Sequence, residues 1–329
     1  MSVPLAVSAP FPGCSAAESV ELVQASVAWG YEACWAAEVD GPDAFSILGA
    51  VAATTDLELG VAVVPVQTRS AFVLGMTALS LASLTGGRFT LGVGASSEVL
   101  VSRFGGMPFE RPLSHLREAV EVLKPILAGE RASIEGEHVR VGGYRYPVPA
   151  PVPVPLWIGA LNPRSLRQTG ELADGLCINQ VAPQHLGRML DEVHAGAAAA
   201  DRTLPDPLPV MARLFCLVTD EIDFARQMVK HVFAPYVATS VYNRFYRWQG
   251  YEQEAAAIQE AAEAKDKSAM AAAFSDRLVD DLFLIGSADT VTARIREYVE
   301  AGVTVPVIAP LAADAAGAGA TLEAVAGAW

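Results

Sequence analysis

Two segments of this chain gather small and polar residues just where an apolar run ends: Gly94-Ala95-Ser96-Ser97 and Gly159-Ala160-Leu161-Asn162. Small side chains let a backbone approach a bound group closely, and amides and hydroxyls can hold a phosphate or a ring edge. The second segment runs through Pro163 into a helical pattern, whose N-terminus suits an anion. Each alone also reads as an ordinary turn. Two together suit a phosphate-bearing cofactor lying across a shared mouth. Glu38 and Asp40 close another apolar run, where a carboxylate either holds a proton beside the cofactor or simply faces solvent. Arg69, Arg103 and Arg111 are cations able to attract an acidic tail, or plain surface arginines. Trp29, Trp35 and Trp248 can floor a ring, although a lone tryptophan is more often core.

Other chemistries find little support. The five histidines (His115, His138, His185, His194 and His231) are scattered and no H-E-x-x-H occurs, so no metal site is expected. There is no G-x-S-x-G and no P-loop. Gly92-Val93-Gly94 follows a strand-like run, but Ser97 stands where a dinucleotide fingerprint needs its third glycine. A net charge of -14 argues against nucleic acid and anionic membranes as partners. Cys14, Cys34, Cys177 and Cys216 show no CxxC spacing and read as reduced thiols of a cytoplasmic protein. No basic residue precedes Arg69, so no targeting leader is expected. Ser70–Gly87 is uncharged, but Thr77, Ser80, Ser83 and Thr85 interrupt it, and it reads as a buried helix rather than a membrane span.

These segments need a frame to position them. Apolar runs at Val3–Ser8, Ala33–Glu38, Leu57–Val64, Phe89–Gly94, Leu156–Gly159, Leu176–Asn179, Leu208–Val218 and Thr304–Ile308 alternate with helical patterns. The helical patterns are Ala16–Trp29, Asp43–Thr54, Ser70–Leu84, Pro112–Leu127, Pro163–Ala173, Gln184–Ala200, a long stretch over 220–275, a segment capped by Ser287, and Leu322–Trp329. Pro125 is expected to end or kink its helix. Eight strand–helix units imply a parallel sheet, and their number favours closure over an open doubly wound sheet. The expected fold is therefore α/β, a single (β/α)8 TIM barrel over residues 1–329. Insertions are expected near 129–155, as a small hairpin, and near 220–275, both covering the pocket. The active site is expected at the C-terminal ends of the strands.

Several stretches then resemble a known group. Gly30-Tyr31-Glu32-Ala33-Cys34-Trp35-Ala36-Ala37-Glu38, Thr54-Thr55-Asp56-Leu57-Glu58-Leu59-Gly60 and Leu84-Thr85-Gly86-Gly87-Arg88-Phe89-Thr90-Leu91-Gly92-Val93-Gly94 resemble the luciferase-like monooxygenase superfamily. Gly106-Met107-Pro108-Phe109-Glu110-Arg111-Pro112, Gly159-Ala160-Leu161-Asn162-Pro163 and Ala173-Asp174-Gly175 are similar to its coenzyme F420-dependent branch. The resemblance implies a luciferase-like barrel, commonly dimeric, with a deazaflavin at the mouth. It also implies a non-proline cis peptide at Ala62-Val63, forming a bulge behind the ring, with the loops at 94–97 and 159–162 holding the phosphate or the ring. Members that oxidise sugar phosphates carry an Asp-His or similar pair at the end of strand two, where this chain has Glu38-Val39 and no histidine. Their acidic residue after strand four is Ser97 here.

The resemblance therefore points to hydride transfer between deazaflavin C5 and a small organic substrate, with Glu38 delivering the proton. An FMN-dependent monooxygenase fed by a partner reductase, and a cofactor-binding barrel without catalysis, are the alternatives.

Overall fold

The apolar runs become strands that pair in chain order. In this computed structural model, which describes residues 3–329, β1 (Ala6–Ala9), β2 (Ala33–Ala36), β3 (Glu58–Pro65) and β4 (Phe89–Gly94) lie side by side. β4 then pairs with β7 (Leu156–Gly159), β7 with β8 (Gly175–Asn179), β8 with β9 (Val210–Val218), and β9 with β11 (Val305–Pro310). β11 returns to β1, so eight parallel strands close a barrel and the open-sheet alternative falls away. A closed sheet has no exposed edge to protect.

Helices form the outer ring, and their starts follow local chemistry. Ser15 and Glu18 make a capping box for α1 (Ala16–Ala28). The Asp43 carboxylate accepts from the Ser46 amide at 2.7 Å to open α2 (Ala44–Ala52). Ser70 caps α3 (Ala71–Thr85), and Gly86 closes it in the left-handed region at φ 65°. α5 (Pro163–Leu172) and α6 (Leu186–Ala199) follow β7 and β8. Among the described residues, no helix is long and apolar enough to cross a membrane.

Some expectations are corrected. α4 (Pro112–Leu127) runs two residues past Pro125, because a proline in the last turn forfeits only one backbone bond. The excursion at 129–155 contains an antiparallel pair, β5 (Ala132–Glu135) and β6 (Arg140–Tyr144). It lies against the outer wall, with Tyr144 edge-on to Phe72 of α3 and Glu118 of α4 accepting from the amides of Glu137, His138 and Val139. The long stretch after β9 divides into α7 (Ile222–Val237), α8 (Ser240–Trp248), α9 (Glu252–Glu263), α10 (Lys267–Ala273) and α11 (Asp276–Leu282). A three-residue strand, β10 (Leu284–Gly286), follows and extends the sheet beside the end of β9. α12 (Ala288–Glu300) starts at Ser287 as expected. α13 (Ala315–Ala328) starts earlier than expected, because Asp314 caps an Ala/Gly-rich turn that shows no apolar period.

The barrel interior is packed, not open. Ala6, Ala33, Trp35, Trp157, Cys177, Met211 and Val307 form one buried inner cluster. The Trp35 and Trp157 rings lie 5.0 Å apart between centroids. A Cβ on Gly60 would sit 2.5 Å from the Trp35 ring, and one on Gly175 would sit 2.6 Å from Trp157. Glycine on one strand thus makes room for tryptophan on the next, the large–small complementarity that small barrels need.

Candidate functional site

The C-terminal ends of β3, β4 and β7 meet at one side chain. The register of β3 against β4 shifts between Val61 and Val64, and the Ala62–Val63 peptide is cis. The resulting bulge carries Val63 onto the inner cluster below and against two glycines beside it. A Cβ on Gly94 would lie 2.6 Å from one Val63 methyl, and a Cβ on Gly159 2.8 Å from the other. The two glycine-led segments singled out in the sequence therefore flank a common wall.

Backbone geometry fits those segments for close approach. Ser96 adopts φ 59°, unusual for a residue with a Cβ, and leaves the loop through a tight turn. The Ser97 hydroxyl accepts from the Leu100 amide at 3.4 Å, opening a π-helical segment at Val99–Phe104. Ala95, Ser96 and Ser97 are half-buried, with surface left to meet a ligand. On the other side, the Asn162 amide donates to Ser165 Oγ at 3.2 Å at the start of α5. Leu161 and Asn162 are also half-buried, whereas Ala160 is buried.

The charged candidates divide. Arg69 Nε donates to Glu38 Oε1 at 2.9 Å and its Nη2 to Oε2 at 2.8 Å, a fork-to-fork pair at the end of β2. Arg69 also pairs with Asp43. Burial alone would raise the Asp43 carboxyl, but bonds from Ser46 and the charge of Arg69 hold it below its usual range. Arg69 is thus committed to two carboxylates. Arg111 pairs with Glu137 at the surface, and Arg103 and Asp40 are exposed. Of the three tryptophans, Trp35 lies inside the barrel, Trp29 packs on the outer core, and Trp248 lies under the guanidinium of Arg188.

A second wall comes from the insertion expected to cover the pocket. α8 is tied to the mouth by side chains at the ends of β7 and β8. Asn162 Nδ2 donates to the Val241 carbonyl at 3.5 Å, and Asn179 Nδ2 donates to the Tyr242 hydroxyl at 3.4 Å. The Tyr246 hydroxyl donates to Gln180 Oε1 at 2.7 Å, and Gln249 Nε2 donates to the Gln180 carbonyl. The insertion at 220–275 therefore reaches the pocket, while the hairpin does not. Several buried polar atoms at strand ends lack partners: both amide atoms of Gln67, Asn179 Oδ1 and Gln180 Nε2. Buried amides in this state mark where a ligand or water belongs. Arg213, in the middle of β9, also faces inward; its signal was a lone charge in the apolar run Val210–Val218.

A shallow cleft of about 540 Å³ lies at the other end of the barrel, lined by His194, Arg202 and Asp206 among others. It sits at the strand N-termini, the face that serves stability in barrels of this type. Among the described residues no cluster of His, Cys, Asp or Glu is arranged to hold a metal ion.

Residues 6–305 match the family model described as luciferase-like monooxygenase. The chain belongs to this family. It is 27% identical over 280 residues to the 5,10-methylenetetrahydromethanopterin reductase of Methanolobus tindarius, covering 84% of each chain. It is 27% identical over 311 residues to a putative coenzyme F420-dependent oxidoreductase of Mycobacterium tuberculosis, covering 88% of this chain and 89% of that one. Among solved structures, the coenzyme F420 dependent tetrahydromethanopterin reductase of Methanopyrus kandleri superposes with a TM-score of 0.80 at 23% identity, over 99% of this chain and 98% of that one. The oxygenating constituent of 3,6-diketocamphane monooxygenase from Pseudomonas putida, in complex with FMN, superposes with a TM-score of 0.69 at 19% identity, over 99% and 97%. At these identities the structures show the shared luciferase-like barrel.

Proposed function

We propose that this luciferase-like family member is a coenzyme F420-dependent oxidoreductase acting on a small organic substrate. The observation that carries the reading is the convergence of Val63 with Gly94 and Gly159, in a chain whose relatives are F420-dependent reductases and oxidoreductases. The residues present fit a deazaflavin. The two glycines let Val63 seat between β4 and β7, and Gln67, Asn179 and Gln180 hold buried polar atoms without partners.

In this reading the bulge at Ala62 and Val63 supports one side of the ring. Gly94, Ala95, Ser96 and Ser97, with Gly159, Ala160, Leu161 and Asn162, line the cofactor on either side. A bound deazaflavin would supply hydride chemistry at its C5. The chain's part is to hold, orient and shield: Trp35 and Trp157 close the barrel below, and α8 covers the mouth above, so water is kept from the reacting carbon. Glu38 is the carboxylate assigned to the proton. Both of its oxygens accept hydrogen bonds from Arg69, which fixes the carboxylate in place at the end of β2.

The FMN-bound neighbour gives flavin the second place, since it shares the barrel. Expression in a host that makes both cofactors separates them. The purified protein is expected to carry the F420 absorption band, or no chromophore. Tight co-purification of yellow FMN would favour the flavin monooxygenase instead.

A further inference from the structure

The inner layer of the barrel is largely apolar, but Arg213 of β9 and its register partner Asn179 of β8 bring polar groups to it. Arg213 follows Met211 by two residues on β9, and Ser8 follows Ala6 by two on β1; Met211 and Ala6 both belong to the inner cluster. Strand periodicity puts Arg213 and Ser8 on the same inner face, one step nearer the mouth. Arg213 Nε donates to Ser8 Oγ at 3.1 Å, reaching past β11 to do so. Its guanidinium lies over the Phe215 ring at 5.0 Å. Tyr236 and Tyr242 bear on its charge, and among the described residues no carboxylate forms an ion pair with it. Burial pulls the guanidinium below the usual arginine range, although the residue keeps some accessible surface. The Tyr242 hydroxyl stays neutral, pushed up by its own burial.

A charge held this deep is costly unless an opposite charge meets it. One serine hydroxyl does not neutralise a guanidinium, whose five donors form a fork matched to a carboxylate. Arg213 lies on β9 between β11 and β8, opposite Val63 of β3 across the barrel and two strands from Gly159 of β7.

We infer that Arg213, with Ser8 and Tyr242, forms a substrate subsite for a monoanionic carboxylate on an apolar body. A single cation favours one negative charge, and Arg69, the other arginine near the mouth, is spent on Glu38 and Asp43. Phe215 and Tyr236 supply apolar surface beside the fork. The inference deepens the oxidoreductase reading by naming its substrate class, and rests on it for the position of the cofactor.

The test is calorimetric titration of benzoate, benzamide and inorganic phosphate into the protein, with and without saturating F420. Benzoate is expected to bind the wild type about tenfold or more tightly than neutral benzamide, and more tightly than phosphate. Arg213→Gln is expected to abolish that preference while F420 affinity stays within about twofold. Ser8→Ala, a smaller change that keeps the cation, is expected to weaken benzoate by a few-fold, so the subsite remains testable if Arg213→Gln does not fold. Equal binding of benzoate and benzamide, tighter binding of phosphate, or an unaltered preference in Arg213→Gln would overturn the subsite. Failure of F420 to bind would overturn the cofactor reading alone, because benzoate selectivity is measured without cofactor as well.

Discussion

The Val63 side chain occupies the space that a Cβ on Gly94 would need, 2.6 Å from one methyl. Valine is stiff at χ1 and cannot swing aside, so the pair is a steric lock between β3 and β4. Gly94→Ala is expected to push Val63 off the wall. Stability should fall by about 1–3 kcal/mol, as overpacking typically costs. F420 affinity should fall by about tenfold or more. Gly327→Ala, exposed on α13 with nothing near the added methyl, is the control and should leave F420 binding unchanged. An alanine at position 94 that binds F420 as well as the wild type would detach the lock from the cofactor site.

The Glu38–Arg69–Asp43 cluster ties the end of β2 to the segments leading into α2 and α3. Glu38→Gln and Arg69→Met are each expected to lower stability by about 1 kcal/mol, the scale of a half-buried charge-assisted pair. The double variant should lose less than the two singles together, which urea unfolding of all four proteins would measure. Strict additivity would mean that the pair carries no coupling.

The hairpin and α4 share a pH-sensitive contact. His115 and His138 stack with centroids 5.3 Å apart. Burial, then the charge of His138, hold His115 below its ordinary range, and Glu118 opposes them only partly. The unfolded chain therefore takes up this proton more readily than the folded one. The contribution is fully present above about pH 6.5 and is lost as pH falls below it. The urea midpoint of the wild type should drop between pH 7.5 and 5.5, and that of His115→Gln should drop less. An equal drop in both proteins would remove His115 as the cause.

All four cysteines are free and buried. Burial pushes the Cys34 thiol up to about 12, raises Cys177 and Cys216 as well, and raises Cys14 with help from Glu18 and Asp314. Thiolate is the reactive form, so native protein should react with Ellman's reagent only as fast as it unfolds. Four thiols should appear on adding denaturant. A fast-reacting thiol in the native state would contradict this packing.

The barrel was legible because apolar runs and amphipathic helices alternate through nearly the whole chain, and each barrel run overlaps a strand. The register detail at Ala62 and Val63 was legible only through resemblance, since nothing in Val61-Ala62-Val63-Val64 marks a bulge. β10 was missed because three residues, Leu284–Gly286, are too few to show a period. The breaks between α7 and α10 were hidden by continuous helical composition. Trp157 was absorbed into an apolar run, although its partner Trp35 was singled out. Arg213 could have been found: an arginine flanked by Met211, Ala212, Leu214 and Phe215 in a barrel strand must have a reason to point inward. The ion pair between Glu38 and Arg69 joins residues 31 apart in sequence, and pairing across that gap needs the fold.

The central claim is a deazaflavin site built around Val63, Gly94 and Gly159. Its most direct test is side-by-side titration with F420 and FMN, read through tryptophan emission, since Trp35 and Trp157 lie in the inner cluster against which Val63 packs. F420 is expected to quench that emission with a Kd of roughly 100 μM or tighter, and FMN to bind more weakly. Tighter binding of FMN, or no binding of either cofactor in that range, would contradict it.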